Sequence, residues 1–531
     1  MQRFNGARIS SFLLEKEKYV FLAVCFFTLF PIFTGQYFVT LDGPSHLYNA
    51  KVWSFLVFDS QPFLSSFYSV NALMPNVLSH FVLSLLLTFF PAFVAEKILV
   101  IAYIFLFAYS FRYLLKSFGE SNILLAYFIF PFIFSYPFLL GFYNFSFAIV
   151  LLFFVIGYWL RHDHSRFSWR FLLGLTLLVF LTYTTHLILF GLLLFILALE
   201  TGITGIILVQ NKYEGRMKPI LTRTLSALTA SVLPLYFVYQ YLAERPLSVS
   251  GFNYLNYSTL VRYLVDLRPI IAFDYENEIP FTRLILLVLL ALFLIYFINR
   301  NRNKPPVDPN DRTKLLFAGI APLAIFLLYF VLPDTDGRGS YVSIRWALLI
   351  FPFLILFLSL QKFSRTTLRI TIPIVLIAHF ALTAEYALIN KQVSPVISEV
   401  LEVSAMIDPN SIVAVAKESG TWYMDHYSNY LGLEKPIVIL ENYEANNGYF
   451  PVVWNKEGLP NITLLNKPIN SIKCLSDQTN IDGENQAVDY LVIIGNYKNL
   501  PSKCMDLSNL TQDAQFEKLY SSQKITLFKL K

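Results

Sequence analysis

Apolar runs dominate the first three quarters of the chain and stop after about Lys391. Runs long enough to cross about 30 Å of hydrocarbon as helices begin at Tyr19, Val77, Ile98, Ile123, Phe145, Phe171, Ile188, Ile220, Leu284, Leu315, Trp346 and Ile370. They predict an all-α polytopic membrane domain over residues 1–391. Beyond it the texture becomes polar, with short β-branched runs at Ile412–Ala416, Ile437–Leu440 and Tyr490–Ile494. Bounded by Pro, Asn and Gly turn signals, these read as buried strands of a C-terminal soluble α/β domain over residues 392–531.

Composition excludes a soluble protein: of 531 residues 56% are hydrophobic and 14% charged, with 52 Phe and 32 Tyr. Basic residues cluster before the first run (Arg3, Arg8, Lys16, Lys18) and again at 161–170, 212–218, 300–304 and 362–369. The positive-inside rule makes these segments cytoplasmic, together with the N-terminus, and leaves the tail external. Alternation then fails once. With Val77–Pro91 running inward and Glu96–Lys97 at an inner turn, Ile123–Leu140 would begin and end outside. Pro131 and Pro137 make that segment the natural broken or re-entrant helix, which leaves eleven full spans; an additional crossing is the alternative, for roughly 11 to 13 in all. The tail carries eleven Lys, no Arg and sixteen Asp plus Glu, so the positive charge stays with the membrane part. Cys474 and Cys504 lie in it, where an oxidising compartment would permit a disulfide, though two free thiols fit the spacing equally. No cleavage site follows the basic start, so the first span reads as an uncleaved anchor, and the whole as a multi-pass protein of a bacterial inner membrane.

The loops on the external side carry the candidate chemistry. Asp42-Gly43-Pro44-Ser45-His46 places a carboxylate and an imidazole just after the first span, ahead of an aromatic stretch, Leu47–Phe55, suited to an interfacial helix. Asp42 could take a proton from an incoming hydroxyl or amine or ligate a divalent cation, and His46 could bind phosphate or orient the acid. Capping of the following helix by Asp42 is the plainer alternative. At Gly141–Phe145, Tyr143 and Asn144 could bind a sugar or phosphate, or serve as aromatic belt and helix cap. His186, where two spans meet outside, could contact a phosphate, with a packing role among aromatics as the alternative. In the loop Asp334–Trp346, Arg338 and Arg345 could grip a phosphate, with snorkelling to headgroups as the alternative for Arg345. The loop 243–282 is rich in Tyr and charge without a specific motif, and the tail's Trp422, Tyr423, Tyr427, Tyr430, Tyr449 and Trp454 could stack on sugars or form its core.

An acid just after the first span, a first external loop with interfacial helices, and a late Arg345 followed by Phe351-Pro352-Phe353-Leu354 resemble the GT-C superfamily of polytopic glycosyltransferases, which includes the protein O-mannosyltransferases and the aminoarabinose transferase. The resemblance spans roughly residues 10–390. It implies a polyprenyl-phosphate-linked sugar as donor, an inverting displacement, Asp42 as base or metal ligand, and Arg345 on the lipid phosphate. Several relatives carry a second acid where this chain has Gly43, so a divalent cation is not required by the sequence. The acceptor, whether glycolipid, glycan or protein, is not specified, and nothing points to nucleic acid. Two other classes fit the composition: a lipid or glycan transporter or flippase, and a membrane scaffold displaying a glycan-binding tail. Span interiors nearly free of charge weigh against the transporter.

Overall fold

A computed structural model describes residues 16–119, 123–211, 215, 217–244, 251–299, 308–336, 339–417, 421–455, 461–464, 467–468, 485–495 and 515–531. Cys474, Cys504 and Arg338 lie outside them. Eight helices are long and apolar enough to cross a membrane: Ala92–Phe118, Tyr143–Arg161, Leu187–Gln210, Met217–Ala243, Tyr275–Asn299, Pro309–Val331, Val342–Ser359 and Arg365–Ala405. Three shorter apolar segments, Glu17–Thr28, Ile123–Phe132 and Trp169–Thr185, complete the bundle.

Polar contacts at the two ends of the bundle fix the direction of the first crossings. Glu17 opens the first helix and forms a two-pronged ion pair with Arg112, near the end of Ala92–Phe118. The Tyr127 hydroxyl donates to the Glu17 carbonyl at the same end (3.2 Å). At the opposite end the N–H groups of Leu41 and Asp42 donate to the carbonyls of Leu139 and Leu140 (3.0 and 3.2 Å). There too the Phe38 N–H donates to Glu96 Oε2 (3.0 Å) and Lys97 Nζ to the Gly35 carbonyl (2.9 Å). Glu17–Thr28 and Ile123–Leu140 therefore run in the same direction, with Ala92–Phe118 returning between them.

Two segments thereby exchange the roles expected for them. The run from Val77 folds as Leu78–Leu86, a helix of nine residues. At 1.5 Å per residue it reaches only about 14 Å. Pro91 breaks the run before Ala92, and Glu96 and Lys97 fall at the Asp42 end, opposite to the inner turn expected of them. Ile123–Phe132, expected to be re-entrant, is the crossing segment. It winds as a 3₁₀ helix of 10 residues, and at about 2.0 Å each these reach about 20 Å. Nearly all its side chains are buried, which is the setting in which irregular backbone is tolerated at membrane depth. Eleven crossings result among the described residues, with the exception to the alternation moved from one segment to the other.

The helix Gly43–Val57 differs from the interfacial element expected. Pro44 at its first turn suits a helix start, but twelve of its fifteen residues are buried, so it is roofed by protein. The roof is the C-terminal region. Arg365–Ala405 continues through the division placed at residue 391 and hands over to a five-stranded sheet of order Phe516–Ser521, Ile525–Leu530, Tyr490–Ile494, Ile412–Lys417, Val438–Ile439. The last three pair in parallel, and the first two are antiparallel. All three β-branched runs are strands of this sheet.

The sheet domain is joined to the first loop by main chain and side chain alike. Tyr68–Val70 pairs antiparallel with Val452–Trp454. Tyr68 stacks on Trp454 with centroids 4.5 Å apart. Asn49 and Asn442 exchange two amide hydrogen bonds (2.9 and 2.8 Å), both residues buried. The Tyr48 hydroxyl donates to the Ile437 carbonyl (2.7 Å), and a side chain on Gly432 would collide with the Tyr48 ring. Trp422 stacks on Phe273 (5.7 Å), so it packs against the membrane part; Tyr427 and Tyr430 are core.

Candidate active site

The segment leading into Asp42 is held on three sides before the helix begins. Asn390 Oδ1 accepts from the Val39 N–H (2.9 Å), Glu96 from that of Phe38, and the 139–140 backbone from Leu41 and Asp42. Asp42 occupies the N-cap position of Gly43–Val57, yet its side chain makes no capping hydrogen bond. Thr40 Oγ1 takes that role by accepting from the Gly43 N–H (3.1 Å). The carboxylate is thus released from helix capping and turned elsewhere.

Two glycines explain how closely this corner is packed. Gly141 has φ +85°, a left-handed backbone, and a Cβ there would lie 2.7 Å from the Asp42 Cβ. At Gly43 a Cβ would lie 2.3 Å from Thr40 Oγ1 and 3.0 Å from the Tyr143 hydroxyl. Position 43, which the sequence resemblance singled out for its missing second acid, therefore has no room for a side chain.

Asp42 is buried, and two networks that include residues of the C-terminal domain lie around it. In the first, His426 Nε2 stands 3.7 Å from Asp42 Oδ1, while its Nδ1 is 3.1 Å from Glu441 Oε1. Glu441 is held by Lys417 Nζ (3.0 Å), by the Ser428 hydroxyl and by Asn429 Nδ2 (3.2 Å). His426 also stacks on Tyr443 (4.3 Å), whose hydroxyl faces Asp42 without a well-aligned hydrogen bond. Burial raises the Asp42 carboxyl above the ordinary range, opposed by the positive charge of His426 and then His46.

In the second network His46, His80 and Glu444 are fully enclosed. His46 Nδ1 is 2.6 Å from Glu444 Oε1 and His80 Nε2 is 2.9 Å from Glu444 Oε2. The two rings approach at 3.1 Å (Nδ1 to Nε2), and His46 Nε2 faces the Gly141 carbonyl at 2.7 Å. These donor atoms lie within 4.8 Å of one another, the one group among the described residues with the make-up of a metal site. In the absence of an ion, Glu444 draws the His46 titration upward against burial, and the two imidazoles hold Glu444 down to about 2 although burial alone would raise it.

A cavity of about 340 Å³ opens beside Asp42 between the membrane helices and the C-terminal domain. Asp42, His46, Tyr143, Asn144, His186 and Arg345 all line it, and Phe142, Tyr443, Tyr449 and Phe450 supply aromatic walls. The polar atoms of several are already committed. Asn144 Oδ1 accepts from the Ser79 N–H (2.8 Å) and its Nδ2 donates to the Asn76 carbonyl (2.7 Å), anchoring the helix Leu78–Leu86. The Tyr143 hydroxyl pairs with Thr40 Oγ1 (3.0 Å). Arg345 enters from the first turn of Val342–Ser359, its guanidinium stacked over Phe142 (4.2 Å to the centroid) and near Phe145 (5.6 Å). His186 Nε2 lies 3.4 Å from Arg345 Nη1. Of the neighbouring acids, Asp334 caps Val342–Ser359 by accepting from the Ser343 N–H (3.0 Å), and Asp266 pairs with Arg283 (2.7 Å).

The spacing of the chain gave no notice of His80, His426, Glu441 or Glu444. One signal lay in the tail: His426 and Glu441–Glu444 follow the carboxyl ends of the parallel strands Ile412–Lys417 and Val438–Ile439, where open α/β sheets collect functional groups.

No family model matches the chain, and no curated protein matches it by sequence. Solved structures do match it by fold. ArnT from Cupriavidus metallidurans bound to undecaprenyl phosphate aligns over 96% of this chain and 97% of its own with TM-score 0.54 at 10% identity. The apo state of ArnT aligns over 97% and 98%, again with TM-score 0.54 at 10% identity. The likeness is one of fold: a polytopic helical membrane protein with a C-terminal sheet domain, aligned with ArnT over nearly the whole of both chains.

Proposed function

We propose that the protein is a GT-C-type membrane glycosyltransferase that moves a sugar from a polyprenyl-phosphate carrier to an acceptor at the external face of a bacterial inner membrane. One observation carries the reading. A buried carboxylate released from helix capping and a stacked guanidinium line the same cavity, at the end of the bundle where the C-terminal domain covers it. The ArnT likeness adds support, since that neighbour holds undecaprenyl phosphate.

In this reading the carrier's phosphate enters from the bilayer and its charge is met by Arg345, whose planar fork suits phosphate oxygens. Phe142 holds the guanidinium plane. The acceptor's hydroxyl or amine approaches Asp42, which takes the proton as the acceptor atom forms its bond to the anomeric carbon. The bond from that carbon to the phosphate oxygen breaks on the opposite face, and the lipid phosphate leaves with the electron pair, stabilised by Arg345. Attack and departure on opposite faces invert the anomeric centre. His426 offsets part of the penalty that burial places on the Asp42 charge. His46, Tyr143 and Asn144 shape the pocket instead of gripping phosphate, because their polar atoms already have protein partners.

The test is a transfer assay with purified full-length protein, polyprenyl-phosphate sugars and candidate acceptors. Acceptor-dependent release of free lipid phosphate is expected. Movement of the carrier across vesicles with the sugar bond intact would instead identify a transporter.

A further inference from the structure

The enclosed group His46, His80 and Glu444 has a donor arrangement that hydrogen bonding alone satisfies poorly. The Gly141 carbonyl, 2.7 Å from His46 Nε2, can only accept, so that nitrogen carries a hydrogen. A neutral His46 then turns its lone pair at Nδ1 toward Glu444 Oε1 (2.6 Å) and His80 Nε2 (3.1 Å). Glu444 Oε1, fully buried, makes no hydrogen bond of proper alignment despite that short contact. His80 Nδ1 lies buried against the Asn76 backbone, also without a well-formed hydrogen bond. Three donor atoms therefore converge on one point, and at least one imidazole is oriented from behind by a backbone carbonyl. That is the outer-shell pattern of metal-ligating histidines.

We propose that His46, His80 and Glu444 form a Zn²⁺ site that clamps the C-terminal domain onto the first loop. Two imidazoles and a carboxylate are a borderline-soft set that suits zinc over magnesium or calcium, and three ligands leave one coordination position open. An ion bound at about 2.1 Å to each donor would space them about 3.4 Å apart, so the contacts of 2.6, 2.9 and 3.1 Å would each have to open, the His46–Glu444 contact the most, by about 0.8 Å. The ion would join the helices Gly43–Val57 and Leu78–Leu86 to Tyr443–Asn446, segments that meet only because the tail folds over the loop. His46 also borders the cavity beside Asp42, but no step of the proposed transfer passes through the ion.

Elemental analysis of the full-length protein purified in detergent, without added chelator, tests the site directly. Equimolar zinc is expected, with His80→Gln and Glu444→Gln each binding it roughly a hundredfold more weakly. Wild-type protein stripped with a chelator should gain thermal stability when Zn²⁺ is restored. Co²⁺ in its place should show the visible absorption of a four-coordinate ion. Substoichiometric zinc, unchanged by His80→Gln and without thermal response in the stripped wild type, would overturn the proposal and leave a protonated His46 paired with Glu444. Metal content and melting are read without substrate, so failure here and failure of the transferase reading are distinguishable.

Discussion

His426 Nε2 and Asp42 Oδ1 face each other at 3.7 Å across the seam between the C-terminal domain and the membrane helices. A carboxylate 384 residues earlier in the chain thus has its charge favoured, against the larger effect of burial, by an imidazole anchored by Glu441.

If Asp42 accepts the proton, Asp42→Asn retains shape and loses the base. The transfer rate is expected to fall roughly 10²- to 10⁴-fold, the usual contribution of a positioned base. An unchanged melting temperature with lost lipid-phosphate release would confirm the role; wild-type rates would remove it.

The pH profile should carry the mark of burial. Asp42 titrates above the ordinary carboxylate range, because burial disfavours its charge more than His426 and His46 favour it. The base works only when ionised, so the rate should fall as pH drops through that raised value. His426→Gln removes a neighbouring positive charge, so the acid limb should move to higher pH, by an amount read from kcat/KM against pH. An unmoved limb would show the pair to be uncoupled.

Arg345→Lys keeps the charge but loses the planar fork and its stacking on Phe142. A loss of about 1.5–3 kcal/mol, roughly tenfold to a hundredfold in kcat/KM, is expected from charged hydrogen bonds of this kind. Short-chain and full-length carriers should suffer alike, since the defect lies at the phosphate.

Gly141→Ala introduces a Cβ 2.7 Å from that of Asp42 at a backbone angle that side chains disfavour. Destabilisation of about 1–3 kcal/mol is expected, visible as a lower melting temperature in detergent.

Asn442→Ala should leave the buried Asn49 Oδ1 without its donor, at a cost of about 1–3 kcal/mol, while Asn49 Nδ2 keeps the Ser45 carbonyl. Limited proteolysis should then cut between the helix Arg365–Ala405 and the sheet more readily than in wild type.

The long apolar runs announced the bundle, and the three β-branched runs announced the core of the sheet, because both signals are local and driven by burial. The run from Val77 misled for a local reason as well. Its Ser79, His80 and Ser84 are buried against protein, a use that hydropathy cannot separate from contact with lipid. Pro131 marked Ile123–Leu140 as broken, and the segment does leave the α-helical pattern; its depth depends on neighbours that cover it, which are remote in sequence. Asp42 and Arg345 stood out as ionisable residues at span ends. His80, His426 and Glu444 did not, since their meaning arises only when the tail is laid over the first loop. Gly43 read as a missing acid, and in the folded chain it is a position closed by Thr40 and Tyr143.

The pairing of Tyr68–Val70 with Val452–Trp454 has a bearing on how the protein is made. At about 5–20 residues per second, the ribosome needs roughly 20 to 80 s to pass from the first of these strands to the second. During that interval Asp42 has already been made, while the imidazole that faces it and the cover of its cavity are unsynthesised. The surroundings of Asp42 are therefore complete only once the last fifth of the chain has been made and closed over the first loop.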